Sequence, residues 1–508
     1  MTEEKNGKYN LLFLMTDQQR FDALSRAGNS VLDTPNLDRF ATEGTYFENA
    51  YTCCPVCVPA RMAMLTGRSI ENTGVRINDD ARDENVTADS LVQGIRTYDE
   101  VLMENGYCGE YYGKWHSPWV RAAAYENRPI GVAGIRSHPE LGLGLSGIYR
   151  EYLDQHSPER PAREGEMIEP GAQRAYRPDP IDVRYDVPES EWGKFSQQGV
   201  FGCLDVPREH SRNAFDTDRT IDAIGRRKDE AFTIHCSFGP PHPPFVNVEH
   251  YHSQFDPKKM PLPEDFEDPM ENSPYRPQWL RMGHYRNPET IGYMIANYYA
   301  MVKEIDDQVG RILKTLDDLE LTENTLVIFT SDHGEMLGNH GMNSKFIFYE
   351  ASAHIPLMMR LPGIIPAGCV VSDPISQHHY FETILDYTGV QDSRNSDGQS
   401  LRGLIEGDGW DGPDFAVSEW PRPDVPNFML RTDRWKLMFA RDPESSAVDA
   451  LYDLENDHLE LNNLIGSNPD RISHLKQAEE MKERLVSWLT SVESPHVEGV
   501  KARPVISN

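Results

Sequence analysis

Short, unbroken apolar runs that stop abruptly at polar residues recur along this chain. The first, residues 11–15, follows Tyr9-Asn10 and ends at Thr16-Asp17-Gln18. A run without alternation is the pattern of a parallel strand buried on both faces of its sheet. Its polar C-terminal end then falls at the sheet's carboxyl edge, where open α/β sheets place their ligands. Runs at 232–238, 325–330 and 354–360 are further candidates of this kind. Residues 293–316 put Ile295, Tyr299, Val302, Ile305, Val309, Ile312 and Leu316 at helical spacing and lead into the 325 run, as a βα-type crossover does.

At roughly 100–200 residues per domain, 508 residues point to two to four domains, or to one large sheet-based core with a smaller appendage. We expect residues 1–395 to form an α/β catalytic domain. Within it, 120–230 is rich in Pro, Arg, Glu and Tyr with weak periodicity and reads as an ordered insertion or lid. From 396 to 508 the texture changes. Residues 428–439 and 451–454 look like short antiparallel strands and 472–489 like an amphipathic helix, together a small C-terminal subdomain. No repeat at solenoid periods and no low-complexity segment is visible.

A formal charge of -31, from 81 acidic against 50 basic residues, would repel nucleic-acid phosphates and anionic lipid headgroups, so neither nucleic acid nor membrane is an expected partner. A saline habitat would produce the same acidic excess. An anionic substrate would need cations gathered in one pocket, which makes each clustered Arg or Lys informative. The 11–15 run is too short for a signal-peptide core or a membrane span. Seven irregularly spaced cysteines do not make a disulfide framework in a chain this long. A reducing cytoplasm is the default location, unless a leader has been removed.

The most informative string is Cys57-Val-Pro59-Ala-Arg61, continued by Leu65-Thr66-Gly67-Arg68. A proline in the first turn of a helix that begins here would aim free N–H groups and the positive dipole end at whatever lies near Cys57. That suits an anion and depresses a thiol pKa. The whole string resembles the signature of the type I sulfatases, in the alkaline phosphatase superfamily. The resemblance implies an α/β, alkaline-phosphatase-like fold: a large mixed sheet flanked by helices, with a small C-terminal antiparallel subdomain. It implies that a formylglycine-generating or anaerobic sulfatase-maturing enzyme oxidises Cys57 to formylglycine, whose hydrate supplies the nucleophile. Arg61 would then hydrogen-bond that hydrate, and Pro59 would belong to the segment the maturing enzyme reads. Cys53 and Cys54 fall outside the signature and read as packing residues.

Asp17-Gln18 and Asp332-His333 each put oxygen-bearing side chains at a strand's carboxyl edge, where two such pairs could converge on one cation. With Cys57 they resemble the family's calcium site. Most members carry two aspartates where this chain has Asp17-Gln18; the Asp-Gln pair is more similar to the choline-sulfatase and phosphonate monoester hydrolase branch. Hard oxygen donors favour Ca2+, with Mg2+ or Mn2+ as alternatives, and spacing alone leaves zinc open.

Three more fragments resemble family motifs. Gly113-Lys114-Trp115-His116 implies that Lys114 holds a sulfate oxygen and that His116 takes the proton that releases sulfate. Pro241-His242 implies that His242 lies on the leaving-group oxygen, Lys345 matches the lysine that touches both sulfate and ester oxygen, and a protonated His242 or Lys345 would donate to the departing alkoxide. The agreement extends to 34–41, 46–51 and 451–457 and so spans nearly the whole chain; it is weakest over 120–230. Enzymes that split such esters must lower the barrier by on the order of 20 kcal/mol, so metal, cations and acid–base groups have to act together. The expected reaction is hydrolysis of an organic sulfate ester, on a sulfated small molecule or saccharide. Phosphonate monoester or phosphodiester hydrolysis at the same site is the competing expectation. The natural substrate and the oligomeric state are left open, an oligomer included.

Overall fold

The computed structural model describes residues 8–78, 95–118, 201–204, 206–281, 286–392 and 396–505, with short pieces at 125–126, 149, 152–153, 155–156 and 183–186. A seven-stranded mixed sheet forms its centre, in the order Cys369–Val371, Thr45–Phe47, Leu357–Arg360, Thr325–Ser331, Asn10–Asp17, Phe232–Pro241, Cys108–Gly113. The last four of these are mutually parallel, so their carboxyl ends share one edge.

The absence of alternation in 11–15 has a direct cause. Leu11, Phe13 and Met15 pack on one face with Met64, Leu65, Tyr98, Phe381 and Ile384. Leu12 and Leu14 pack on the other with Leu37, Phe40, Ile224, Ile305, Val309 and Ile312. Helices Cys57–Thr66, Tyr98–Glu104 and His379–Thr388 cover the first face; Pro35–Glu43, Arg212–Arg227 and Pro288–Asp318 cover the second. Both faces being dry, every position from 11 to 15 is apolar.

Two expectations need correction. The 354–360 run is not one parallel strand. Pro356 splits it into His354–Ile355 and Leu357–Arg360, and the second piece runs antiparallel to Thr325–Ser331. The connecting loop leaves the sheet at the carboxyl edge and re-enters from that same edge, which forces the direction to reverse. The second correction concerns 120–230, most of which lies outside the described residues. Its end contains helix Arg212–Arg227, a core element packed on Pro288–Asp318 and Phe232–Pro241. Much of that helix's buried face is polar (Asn213, Asp216, Thr217, Thr220), which hid its period from a hydropathy reading.

Strands Ala416–Glu419, Phe428–Arg431, Trp435–Phe439 and Ala450–Asp453 form an antiparallel sheet in that order. Helix Arg471–Ser491 covers one face through Ala478, Met481, Leu485 and Leu489. The other face, with Met429, Met438 and Tyr452, packs on Cys53, Cys54, Val56 and Ala60 and so buttresses the start of the Cys57 helix. Among the described residues, no helix is long and apolar enough to cross a membrane.

Candidate active site

Helix Cys57–Thr66 begins at Cys57 and ends at Gly67, whose φ of 65° suits glycine. All ten of its residues are buried, so it is held by packing all round. Val56, at the N-cap position, has no polar side chain to cap the helix; Asn78 Oδ1 instead accepts from the N–H of Val58 at 3.1 Å. Cys57 Sγ therefore sits at the helix's positive end.

The parallel edge delivers the remaining groups to this thiol. Cys57 Sγ lies 3.0 Å from Lys345 Nζ, 3.2 Å from His333 Nε2 and 3.8 Å from Asp17 Oδ1. Ligand atoms of Asp17, Cys57, Asp332 and His333 all fall within 4.8 Å of one another, and all four residues are buried. His333 Nδ1 is 2.9 Å from the Gly334 carbonyl oxygen, so Nδ1 carries the proton and Nε2 faces the thiol. Gln18, at a φ of 75°, donates its backbone N–H to Asp332 Oδ1 at 2.9 Å. Its side-chain oxygen accepts from Lys345 Nζ at 2.7 Å, while its amide nitrogen donates to Glu335.

Arg61 lies between the two aspartates. Its hydrogen bonds do not run to Cys57. Nη2 pairs with Asp17 Oδ2 and Nε with Asp332 Oδ2, both at 3.0 Å and fully buried. Nη1 donates to the Lys114 carbonyl and Ser237 Oγ, each at 3.0 Å. Arg61 is thus the clamp between the two carboxylates, and Lys114 Nζ adds a second cation on Asp17 at 2.5 Å.

Burial opposes the charge on Asp17, yet Lys114, with His242, Lys345 and Arg61 after it, holds its carboxyl well below the usual range. For Cys57, burial and Asp17 push the thiol up, but Lys345, Lys114 and His333 bring it below its ordinary value. His116 is buried, and among the described residues neither ring nitrogen has a hydrogen-bond partner. Burial and then Lys114 hold it neutral. His242 is also held neutral, by burial and then Lys114 and Lys345. Its Nδ1 lies 2.6 Å from the Pro243 carbonyl, so Nδ1 bears the proton and Nε2 has none to give. In this state His242 Nε2 is an acceptor.

All ten expected residues converge here: Asp17, Gln18, Cys57, Arg61, Lys114, His116, His242, Asp332, His333 and Lys345. Three supporting groups went unread. Glu335 is buried and orients the Gln18 amide while accepting from the N–H groups of Leu337 and Ser344. Gln377 ties the carbonyls of Ser331 and Asp332 to the N–H of Cys53. Ser237 holds Arg61. Only Glu335, three residues after Asp332, could have been suspected from its position.

Two carboxylates, an imidazole, a nucleophile position and three cations at the carboxyl edge of a doubly covered α/β sheet make a candidate active site of the kind an ester hydrolase uses, with a group of side chains able to hold a metal ion. Comparison with known proteins gives the family. The family described as Sulfatase matches residues 9–390, and that described as N-sulphoglucosamine sulphohydrolase, C-terminal, matches 338–490. The chain belongs to the sulfatase family and is a sulfuric ester hydrolase of the alkaline phosphatase superfamily. It is 27% identical to an arylsulfatase of Clostridium perfringens, over 92% of this chain and 93% of the relative. It is 25% identical to an N-acetylglucosamine-6-O-sulfatase of Bacteroides thetaiotaomicron, over 91% of this chain and 84% of the relative. The crystal structure of a phosphonate monoester hydrolase of Agrobacterium radiobacter superposes with a TM-score of 0.74 at 24% identity, covering 96% of each chain. That likeness bears on the fold alone.

Proposed function

We propose that this sulfatase removes sulfate from a sulfated saccharide, using Cys57 matured to formylglycine and a divalent cation. The observation that carries the reading is the position of Cys57 Sγ, which stands where the oxygens of the matured side chain would be. It faces Lys345 and His333 and shares one buried pocket with Asp17 and Asp332. Arg61, Lys114 and Lys345 gather positive charge that suits an anionic ester, in a molecule whose overall charge of -31 steers anions away.

The donor set fits a hard ion: oxygens from Asp17, Asp332 and Gln18, with one imidazole from His333. When bound, Ca2+, or Mg2+ or Mn2+ in its place, would polarise a sulfate oxygen. The aldehyde hydrate would supply the nucleophilic hydroxyl. The chain's own residues do the rest. Arg61 keeps Asp17 and Asp332 aligned through an ion pair to each. Lys114 holds a sulfate oxygen beside Asp17. Lys345 hands a proton to the departing alkoxide, the role of a general acid. His116, neutral and with both nitrogens open, accepts the proton whose removal frees sulfate.

The saccharide preference draws on the N-acetylglucosamine-6-O-sulfatase relative. Phosphonate monoester hydrolysis is the second reading, favoured by Gln18 in place of a second aspartate. One experiment separates them. The protein is produced with and without a maturing enzyme, the aldehyde at residue 57 is trapped with a hydrazine reagent, and turnover is measured on sulfated sugars and an aryl phosphonate monoester. Aldehyde-dependent turnover of the sugars supports the proposal. Equal turnover by unmatured protein, or faster phosphonate cleavage, overturns it.

A further inference from the structure

A second group of side chains able to ligate a metal, sharing no residue with the first, converges among the described residues. Cys203 lies on strand Phe201–Leu204, buried, with its thiol 3.5 Å from Glu249 Oε2. Strand Phe201–Leu204 runs parallel to Phe245–Val248 with Leu204 opposite Val248, so the residue that follows, Glu249, emerges beside Cys203. Glu249 and His252 are three apart in helix Glu249–His252 and share a face. Ligand atoms of Cys203, Glu249 and His252 all lie within 4.8 Å of one another. A second carboxylate borders the group: Asp186 Oδ1 is 2.7 Å from His252 Nε2, and Asp186 Oδ2 accepts from Asn297 at 3.0 Å.

We propose that Cys203, Glu249 and His252, with Asp186 beside them, form a structural site for a thiolate-preferring divalent metal of the Zn2+ type. The donor chemistry selects the ion. Ca2+ and Mg2+ take oxygen ligands, whereas thiolate, imidazole and carboxylate together suit Zn2+. The spacing agrees. A tetrahedral ion with Zn–S of about 2.3 Å and Zn–O of about 2.0 Å sets sulfur and oxygen about 3.5 Å apart. That is the separation between Cys203 and Glu249. On binding, the Cys203 thiol loses its proton to solvent and the sulfur bonds the metal, with no change of oxidation state. The ion would pin strand Phe201–Leu204 to the helix that follows Phe245–Val248. Residues 243–248 lead directly from His242, so the site would brace that histidine from behind.

Chelator-stripped full-length protein is titrated with Co2+ as the spectroscopic probe. One equivalent should produce a thiolate-to-cobalt charge-transfer band that Zn2+ bleaches. Cys203→Ser should abolish the band and Cys57→Ser should keep it, which separates this site from the active site. Glu249→Gln and His252→Gln should each weaken the affinity at least about tenfold. Should Cys203→Ser fail to fold by circular dichroism, these two variants decide the matter. No thiolate band in the unsubstituted protein, a band untouched by Cys203→Ser, a band lost only in Cys57→Ser, or unchanged affinity in both glutamine variants would overturn the proposal.

Discussion

Arg61→Met keeps much of the side chain's volume while withdrawing the guanidinium from between Asp17 and Asp332. Each ion pair, at an effective dielectric near 20 and charge centres about 4 Å apart, is worth about 4 kcal/mol before desolvation is counted. The two aspartates are not equally exposed to the loss. Asp17 retains Lys114 at 2.5 Å. Asp332 retains the N–H groups of Gln18 and His333, both at 2.9 Å, and the His333 ring at 3.6 Å. The variant should therefore lose what one orphaned buried charge costs, about 3–5 kcal/mol, measured by denaturant unfolding without divalent ions. Saturating Ca2+ at about 100 times its Kd should return about 2.7 kcal/mol. A variant within about 0.5 kcal/mol of the parent at pH 8 without metal would refute the clamp.

Lys345→Met should lower kcat/KM by about 10²–10⁴ on alkyl sulfates and far less on aryl sulfates, whose oxygen leaves unaided; an equal loss on both would remove Lys345 as the acid. Burial lifts Glu304 from 4.5 to about 7, against the hydrogen bonds from Ser211 and Asn213. Between those values the folded state holds a proton the unfolded state lacks. Stability should therefore fall as pH rises through that window, by up to about 3 kcal/mol, and Glu304→Gln should flatten the profile in urea melts. A parent-minus-variant difference that stays constant from pH 4.5 to 8 would contradict this. Gly113→Ala should cost stability and displace Lys114, because φ is 83° and an added Cβ would sit 2.0 Å from the Ser237 carbonyl oxygen. Thermal melts and turnover should fall together, and wild-type turnover would count against the close packing seen there.

The central strands and the site residues were legible in the sequence for one shared reason. A strand buried on both faces shows as a largely apolar run, and that run gives way to polar residues at the carboxyl edge, which is where Asp17, Lys114, His242 and Asp332 stand. The Cys57 string was legible because a helix start, a thiol and an arginine one turn on form a local pattern. Helix Arg212–Arg227 was not, since polar residues fill much of its buried face. The direction of Leu357–Arg360 was not either, because it depends on which edge the preceding loop re-enters.

Residue types and their order along the chain settled the chemistry available at the site. Which atom meets which was decided only by folding. Arg61 reaches two carboxylates instead of Cys57 because strands hundreds of residues apart in sequence bring Asp17 and Asp332 to either side of it. His242 stays neutral because its surroundings are dry and two lysines stand near. Side-chain identity is local, whereas solvation and charge proximity are properties of the assembled three-dimensional neighbourhood, and these set protonation and partner choice.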